Sequence, residues 1–256
     1  MDIHEVWRRY SGALVALNRY VNDRLTPKLS RLGGLPQRQQ ALTFIHICSY
    51  SVLEPLASSL RATAFRGHAV LCRSLWEHWV DFETIRRASD VEGERYFAFA
   101  EIQLWQWFTH RRKTCSSYGL ADPSSELDRP DWETHVRTVL RKYYRLELEE
   151  IARVKAWDQQ TVFERAGALG KDHELHYREL YAHQSWSAHA GAAGVAGMTT
   201  EYLKLRALEC LRVAFDVASR MSTDLIGELG WHDEEMPIVA RIIRMSDLGH
   251  KEPPSP

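Results

Sequence analysis

The sequence lacks the short motifs by which several enzyme classes are recognised. Its 256 residues contain no glycine-rich phosphate-binding loop, no Gly-x-Ser-x-Gly elbow and no dinucleotide-binding fingerprint. Nucleotide hydrolysis, acyl hydrolysis and hydride transfer of those types therefore have no support. The cysteines form no Cys-x-x-Cys pair, so a zinc ribbon or a dithiol redox motif is unsupported as well: they are Cys48, Cys72, Cys115 and Cys210.

Long apolar runs and an excess of charge are also absent. No stretch approaches the roughly 20 apolar residues of a membrane span, and the opening MDIHEVWRRY lacks the apolar core of a signal peptide. We therefore expect a cytoplasmic protein with free cysteines and no membrane partner. The formal net charge is −1, so a nucleic-acid site would have to be a local basic patch.

No segment alternates apolar and polar residues between hairpin turns, so we predict no β-sheet. Apolar residues instead recur at three- and four-residue spacing in successive segments, the first at residues 2–29. Long helices with short connections predict an all-α fold, an antiparallel bundle of about seven to nine helices. We expect one helical domain over residues 1–248 and a disordered tail over 249–256.

A charged stripe marks the segment that follows Gly67. Arg73, Glu77 and Asp81 are four residues apart and so lie along one edge of a helix. Apolar neighbours such as Trp76 and Trp79 occupy most of its remaining circumference, which is typical of a buried helix. The stripe is either a solvated ion-pair ladder or the polar edge of a buried or cleft-facing site, because buried charges need partners.

A second polar segment is HYRELYAHQSWSAHAG, at residues 176–191. Four of its side chains recur every four residues along one stripe: Tyr177, Tyr181, Ser185 and His189. On a continuous α-helix Arg178 lies close to His189, and His183 lies on nearly the opposite side. Such groups bind phosphate, donate hydrogen bonds and move protons. Alternatively, the tyrosines pack in the core while Ser185 and His189 satisfy buried carbonyls.

The two segments together resemble a bacterial all-helical family of unknown function. Its members carry an Arg-x-x-x-Glu helix, here Arg73 to Glu77, and a later Tyr-x-x-x-Tyr-x-x-x-Ser-x-x-x-His helix, here Tyr177 to His189. Trp157 lies between the two motifs, and the similarity covers roughly residues 40–215. The resemblance implies a helical fold in which the two stripes face each other.

Arg178-Glu-Leu-Tyr-Ala-His183 is also similar to the pattern of HEPN-type ribonucleases, in which a histidine follows an arginine by four to six residues. Those helical proteins are commonly dimeric and often act as toxins or antiviral effectors. Glu179 departs from the pattern, since an acidic group beside the scissile phosphate is unfavourable.

This resemblance implies a HEPN-like, metal-independent ribonuclease of a toxin or phage-defence system. Arg178 would hold the phosphate, His189 or His183 would move protons, and the ribose 2′-hydroxyl would attack, with no cofactor. Tyr181 and Ser185 complete the set of catalytic candidates. The implied partners are RNA, a second copy of the chain, and a cognate antitoxin or defence partner.

Two basic clusters are candidates for an RNA-binding patch. One is Arg111-Arg112-Lys113, and the other has helical spacing and comprises Arg137, Arg141, Lys142 and Arg145. The alternative, which we favour for both clusters, is an ordinary solvated surface.

Two other functions remain open. His173 and His176, with Glu77 or Asp81, could form the His/carboxylate site of a metal-dependent hydrolase, although no His-Glu-x-x-His spacing is present. The chain could also be a non-catalytic helical interaction or sensor module of a defence system. In that case the polar stripes would be a buried structural network.

Overall fold

The computed structural model describes residues 3–58, 65–121, 131–181 and 199–247. Over these ranges the chain forms helices and no β-strand, which confirms the all-α prediction. The chain divides into two compact units: unit 1 combines Met1–Arg87 with Val162–Pro256, and unit 2 is Ala88–Thr161. The single domain over residues 1–248 stays a prediction, and the expected tail lies outside the described residues.

The first helical segment, which ends at Leu29, agrees with the predicted range of residues 2–29. In chain order the helices are α1 (Ile3–Tyr20, continued by a π-helical turn at Val21–Leu25 and by Thr26–Leu29), α2 (Gln37–Ser58), α3 (Phe65–Arg86), α4 (Asp90–Ser117), α5 (Trp132–Val139, continued by a π turn at Leu140–Tyr144), a 3₁₀ helix (Leu148–Arg153), α6 (Val162–Leu169), α7 (Lys171–His176, continued by a π turn at Tyr177–Tyr181), α8 (Thr200–Glu228) and α9 (His232–Ser246).

Local sequence signals explain where two of these helices begin. Thr199 precedes α8, and its hydroxyl accepts a hydrogen bond from the Tyr202 backbone N–H at 3.2 Å, as an N-cap does. Gly170 alone separates α6 from α7, and its φ of 125° lies in a region that side-chain-bearing residues rarely adopt. The glycine therefore permits the break between α6 and α7, and His173 and His176 of α7 contact Trp79 of α3.

Helix α3 occupies the centre of unit 1. It packs against α2, α6 and α8, while α1 packs against α2, α8 and α9. Most of its apolar side chains are almost completely buried, including Leu75, Trp76, Phe82 and Ile85, whereas Val70 is exposed. The prediction of a buried α3 is therefore confirmed, and only a narrow polar edge remains to carry a site.

A buried carboxylate joins α1 to α9. Glu235 is 1% exposed and accepts hydrogen bonds from the Tyr20 hydroxyl at 3.1 Å, from Arg24 Nε at 2.7 Å and from Lys28 Nζ at 3.2 Å. Burial alone would raise the pKa of Glu235, but the hydrogen bonds from Arg24, Lys28 and Tyr20 outweigh it and lower the pKa. The charge of Glu235 is thus paired, as a buried carboxylate requires.

A second buried polar group lies between α2 and α8. Ser222 Oγ lies 3.1 Å from His46 Nε2 and 2.8 Å from the Tyr50 hydroxyl, and its own proton goes to the Ala218 carbonyl at 2.9 Å. Burial lowers the pKa of His46 to about 3. His46 is therefore neutral at physiological pH, and because it and Ser222 are fully buried, the pair is structural.

Unit 2 has its own apolar core. Helices α4 and α5 pack together through a cluster of buried residues that includes Ile102, Phe108, Trp132, Val136 and Leu140. The Trp132 ring meets Trp105 and Phe108 edge to face, at centroid distances of 5.4 and 5.3 Å. Across the described parts of both units, no helix combines the length and the apolar character that a membrane span requires.

Candidate functional site

Three polar side chains from distant parts of the sequence converge at the edge of α3. Arg73 Nε donates to Glu77 Oε1 at 3.0 Å, and an Arg73 terminal nitrogen donates to the Tyr181 hydroxyl at 2.8 Å. That hydroxyl in turn donates to Glu77 Oε1 at 2.7 Å. We call Arg73, Glu77 and Tyr181 the triad. The carboxylate holds both the guanidinium and the phenol in place, so all three groups have defined positions.

The triad is half-buried, and water reaches its two charged members. The Arg73 side chain is 24% exposed and that of Glu77 is 35% exposed, whereas Tyr181 is buried. Burial, with the hydrogen bond to Glu77, raises the pKa of Tyr181 to about 12. The phenol therefore keeps its proton at neutral pH and acts as a hydrogen-bond donor.

Aromatic rings pack against the triad through Tyr181. Tyr181 stacks on Tyr177 at a centroid distance of 4.7 Å and an interplanar angle of 19°, and it contacts Trp76 at 5.4 Å. Tyr177 also contacts Phe163 of α6, at 5.1 Å. The Arg73 guanidinium lies 4.7 Å from the centre of the Tyr181 ring. These contacts fix the phenol in a rigid apolar setting, which favours a precise arrangement of the polar atoms.

The Tyr177–Tyr181 turn is π-helical, and this changes the geometry that the sequence predicts. A π turn closes i→i+5 hydrogen bonds, so each residue advances by a smaller angle than in an α-helix. The α-helical angle that places Arg178 beside Tyr181 and His189 therefore does not apply across this turn. Single π turns occur often at functional sites.

Among the described residues, Arg178 makes its hydrogen bonds outside the triad. Its side chain is 61% exposed and donates two hydrogen bonds to Glu174 Oε1, at 3.0 and 2.7 Å. Its guanidinium also lies 5.2 Å from the centre of the Phe163 ring. The catalytic role of Arg178 stays a prediction, as do those of His183, Ser185 and His189, which lie outside the described residues.

Asp81, the last member of the α3 stripe, has a different partner. Its Oδ1 lies 3.2 Å from Nε of Arg165, a side chain of α6 that is only 7% exposed. The stripe thus faces two elements, with Arg73 and Glu77 meeting Tyr181 and Asp81 meeting Arg165. The sequence contains no spacing signal for Arg165, because the contact joins two helices that are distant along the chain.

The two histidines proposed as metal ligands both contact an aromatic ring. His173 stacks on Trp79 at 4.4 Å, and His176 meets the edge of the same ring at 6.2 Å. Burial lowers the pKa of His173. Within the described ranges, no group of three or more His, Cys, Asp or Glu side chains is placed to hold a metal ion. The predicted set of His173 and His176 with Glu77 or Asp81 is therefore not assembled there.

A carboxylate pair that the sequence reasoning missed joins α3 to α8. Glu83 accepts hydrogen bonds from Arg86 at 3.0 and 2.9 Å, and Asp224 Oδ2 lies 3.9 Å from Arg86 Nε. Burial, together with the nearby charge of Glu83, raises the pKa of Asp224 to about 6, against the opposing effect of Arg86. Although burial acts in the opposite direction, the Arg86 hydrogen bonds lower the pKa of Glu83. Of the two carboxylates, Asp224 therefore takes up a proton first as the pH falls, at about pH 6.

The first basic cluster lies at the end of α4 in unit 2. The Arg111 guanidinium lies 5.2 Å from the centre of the Trp107 ring, and that of Arg112 lies 4.6 Å from the Phe108 ring. Arg112 and Lys113 are exposed. The cluster combines positive charge with an exposed indole at Trp107, and RNA binding by it stays a prediction.

The second basic cluster is largely neutralised. Arg141 donates two-pronged hydrogen bonds to Glu147, with a closest approach of 2.8 Å, and Lys142 pairs with Glu94 at 3.0 Å. Arg137 likewise pairs with Glu133 and Glu149. Arg145 is exposed and has a left-handed φ of 54° where α5 ends. These contacts favour ordinary solvated surface over an RNA-binding patch at this position.

Comparison with known proteins places the triad inside a recognised family. Residues 49–202, more than half of the chain, match a family described as "Family of unknown function (DUF5677)". No curated protein and no solved structure matches the chain. The matched range contains α3 and the π turn of α7, and with them all three members of the triad. The expectation of an all-helical family of unknown function is confirmed, and the chain belongs to DUF5677.

Proposed function

We propose that the protein is a metal-independent ribonuclease in which Arg73, rather than Arg178, holds the scissile phosphate. The observation that carries this proposal is the convergence of Arg73, Glu77 and Tyr181 at a water-accessible edge of α3. A guanidinium fixed by a carboxylate and a phenol is pre-organised to bind an anion. The Arg178 side chain is 61% exposed, whereas that of Arg73 is 24% exposed, so Arg178 is less fixed in position.

The chemistry needs only groups that this chain contains. The ribose 2′-oxygen attacks the adjacent phosphorus, the bond from phosphorus to the 5′-oxygen breaks, and a cyclic phosphate forms. His189, eight residues beyond Tyr181, takes the 2′-hydroxyl proton in this scheme and returns it to the leaving 5′-oxygen, and His183 is the alternative group for both transfers. Arg73 stabilises the negative charge that develops on the phosphate oxygens. Tyr181 donates its single proton to Glu77 and accepts a hydrogen bond from Arg73, so the phenol holds the guanidinium in position.

The experiment compares the two arginines in an RNA cleavage assay. Fluorescently labelled single-stranded RNA is incubated with wild type, Arg73→Gln, Arg178→Gln and His189→Ala, in EDTA and in magnesium. We expect cleavage by wild type in both buffers and a loss of about 100-fold or more in Arg73→Gln and His189→Ala. Arg178→Gln is the matched control, because it removes the same charge from an exposed ion pair, and we expect it to retain activity.

Two outcomes would contradict the proposal. If wild type cleaves no RNA in either buffer, the protein is not a ribonuclease of this kind. If Arg178→Gln is inactive and Arg73→Gln is fully active, the phosphate-binding group is the one that the HEPN-like sequence pattern indicates. Circular dichroism of each variant ensures that a loss of cleavage reflects the site and not unfolding.

The hydrogen bonds within the triad favour a second candidate function, a non-catalytic interaction or sensor module. Each triad member hydrogen-bonds to another, as expected of a structural network in which polar groups fix the packing of helices. Under this alternative, Arg73→Gln lowers the melting temperature and wild type has no cleavage activity to lose. The two functions are thus separated by the same set of variants.

The HEPN-like pattern extends the proposal to the protein's biological setting. It favours a homodimer that acts on RNA in a toxin or phage-defence system, together with a cognate antitoxin or defence partner. Size-exclusion chromatography with light scattering tests the dimer, since a mass of twice 29.7 kDa is expected. Growth arrest on expression of wild type, and its loss in His189→Ala, tests the toxin.

A further inference from the structure

A groove of about 480 Å³ lies in unit 1, where α1, α7, α8 and α9 meet. This volume falls within the range of roughly 300–1,000 Å³ that is usual for small-molecule sites. Of the described residues that line the groove, none belongs to the triad. The groove is therefore a separate feature of the molecule, and an inference about it does not depend on the ribonuclease proposal.

Aromatic and aliphatic side chains supply the apolar part of the groove. The Tyr10 and Phe215 rings meet edge to face at a centroid distance of 5.9 Å and an interplanar angle of 72°. Val213 and Ile243 add aliphatic surface beside them. A flat apolar group has an aromatic surface to lie against here, as in most small-molecule sites.

The two carboxylates of the groove are already paired with arginines. Glu209 pairs with Arg206 one turn earlier on α8, and Asp216 Oδ1 pairs with Arg220 Nε at 3.1 Å. Both arginines lie outside the set of residues that line the groove. The negative charges of Glu209 and Asp216 are thus neutralised by arginines outside the groove.

The remaining polar groups that line the groove include three donors: Arg212, His176 and Tyr10. The Arg212 guanidinium lies 5.9 Å from the centre of the Tyr10 ring, and no carboxylate of the described residues forms an ion pair with it. His176 lines the groove as well, and the Tyr10 hydroxyl has no hydrogen-bond partner in the described part of the chain. The two serine hydroxyls already donate to backbone carbonyls: Ser219 to Asp216 at 3.0 Å and Ser246 to Ile243 at 2.8 Å.

We infer that this groove binds a small organic anion with a planar apolar body, such as an aromatic carboxylate or phosphate ester. The anionic group would lie against Arg212, within reach of the Tyr10 hydroxyl and His176, because guanidinium and hydroxyl donors suit carboxylate and phosphate oxygens. The planar body would pack against Phe215 and Tyr10. The anionic group alone would not contact the aromatic rings, and the planar body alone would not contact Arg212.

Three probes that separate the ring from the charge test this ligand class by isothermal titration calorimetry. Phenyl phosphate carries both the ring and the anion, inorganic phosphate carries only the anion, and benzylamine carries the ring with the opposite charge. We expect saturable binding of phenyl phosphate, at least ten-fold weaker binding of inorganic phosphate, and no saturable binding of benzylamine. Equal affinity for phenyl phosphate and benzylamine, or no saturable binding of phenyl phosphate at millimolar concentration, would overturn the inference.

Variants then locate the site. Arg212→Gln removes the cation and should weaken phenyl phosphate binding about ten-fold or more, which is the effect expected for a hydrogen bond to a charged group. Tyr10→Phe removes only one hydroxyl and should weaken phenyl phosphate binding several-fold. Arg31→Gln removes the same charge from an exposed position beyond the far end of α1, and binding should not change. If both groove variants bind phenyl phosphate as wild type does, the anion site lies elsewhere and the inference fails.

Discussion

The hydroxyl of Tyr181 donates a hydrogen bond of 2.7 Å to the carboxylate of Glu77, across 104 positions of sequence. Glu77 also receives Arg73 Nε on the same oxygen, so one carboxylate atom fixes a phenol and a guanidinium. The bond joins the two polar segments of the sequence and makes them one site. Removing the phenol oxygen is therefore the smallest change that disturbs it.

We expect Tyr181→Phe to weaken both the fold and the site. The variant keeps the ring stacked on Tyr177 and removes one donor from Glu77 and one acceptor from Arg73. The free energy of unfolding should fall by about 1 kcal/mol, since the triad is only half-buried. Tyr177→Phe is the matched control, because its hydroxyl has no hydrogen bond within the described residues. Urea denaturation of both variants measures the difference, and equal stabilities would contradict the role of the phenol.

The carboxylate of Glu235 should make the free energy of unfolding depend on pH in the acidic range. Its pKa is lowered in the folded state, so its contribution is fully present above the unfolded value of about 4.3 and is lost as the pH falls through the folded value. Glu235→Gln should lower the free energy of unfolding by about 2 kcal/mol at pH 7, and by less at pH 4. Unfolding by urea at both pH values measures this change.

Glu234→Gln is the control for Glu235. It makes the same chemical change one residue earlier, at a side chain that is 67% exposed and contacts Lys28. We expect its effect to be below 0.5 kcal/mol, as for most exposed ion pairs. A loss in Glu235→Gln that is no larger than in the control, or that stays constant with pH, would show that the buried carboxylate does not stabilise the fold as an anion.

The Glu83–Asp224 pair should produce the opposite pH dependence. The pKa of Asp224 is raised to about 6, so between roughly pH 4 and pH 6 the folded protein holds a proton that the unfolded chain has released. This group therefore lowers stability as the pH rises through that window. Asp224→Asn should remove the dependence and stabilise the protein at pH 7 by an amount on the order of 1 kcal/mol, allowing for partial exposure.

Carbon-13 NMR of the carboxyl groups measures the Asp224 titration directly. A midpoint near pH 6 that belongs to Asp224, and that falls when Glu83 is changed to Gln, is the expected result. If Asp224 titrates near 4, the two carboxylates do not share a proton and α3 and α8 are not coupled in this way.

Ser222→Ala tests the buried polar group between α2 and α8. The change leaves His46 Nε2 and the Tyr50 hydroxyl without their partner in a fully buried setting, at a cost of about 1–3 kcal/mol. Ser219→Ala removes a buried serine of the same helix whose hydroxyl bonds only to a backbone carbonyl within that helix, so its cost should be smaller. Thermal unfolding measures both, and equal costs would contradict the importance of the shared hydrogen bonds.

Local regularities of the sequence predict local features of this molecule. The four-residue spacing of Arg73 and Glu77 predicts their ion pair, because such residues are neighbours on any α-helix. The apolar circumference of α3 likewise predicts its burial. The meeting of this edge with Tyr181 is expected only from the resemblance to a helical family, and periodicity alone does not predict it.

Features that depend on tertiary packing could not be predicted in the same way. The π turn at Tyr177–Tyr181 accommodates an extra residue, and the ring contacts with Trp76 and Phe163 accompany it. The ion pair of Arg24 with Glu235 joins residues that are 211 positions apart. Nothing in the sequence around Glu235 indicates that this carboxylate is buried. Arg178 is one example. An ideal α-helical angle places it beside His189, and in the structure its guanidinium pairs with Glu174.

The central claim is that Arg73 binds the phosphate of an RNA substrate. The most direct measurement is the single-turnover rate of cleavage of labelled single-stranded RNA in EDTA, by wild type and by Arg73→Gln at equal folded fraction. The account predicts cleavage by wild type and a rate at least about 100-fold lower in the variant. Equal rates for the two proteins, or no cleavage by wild type, would contradict it.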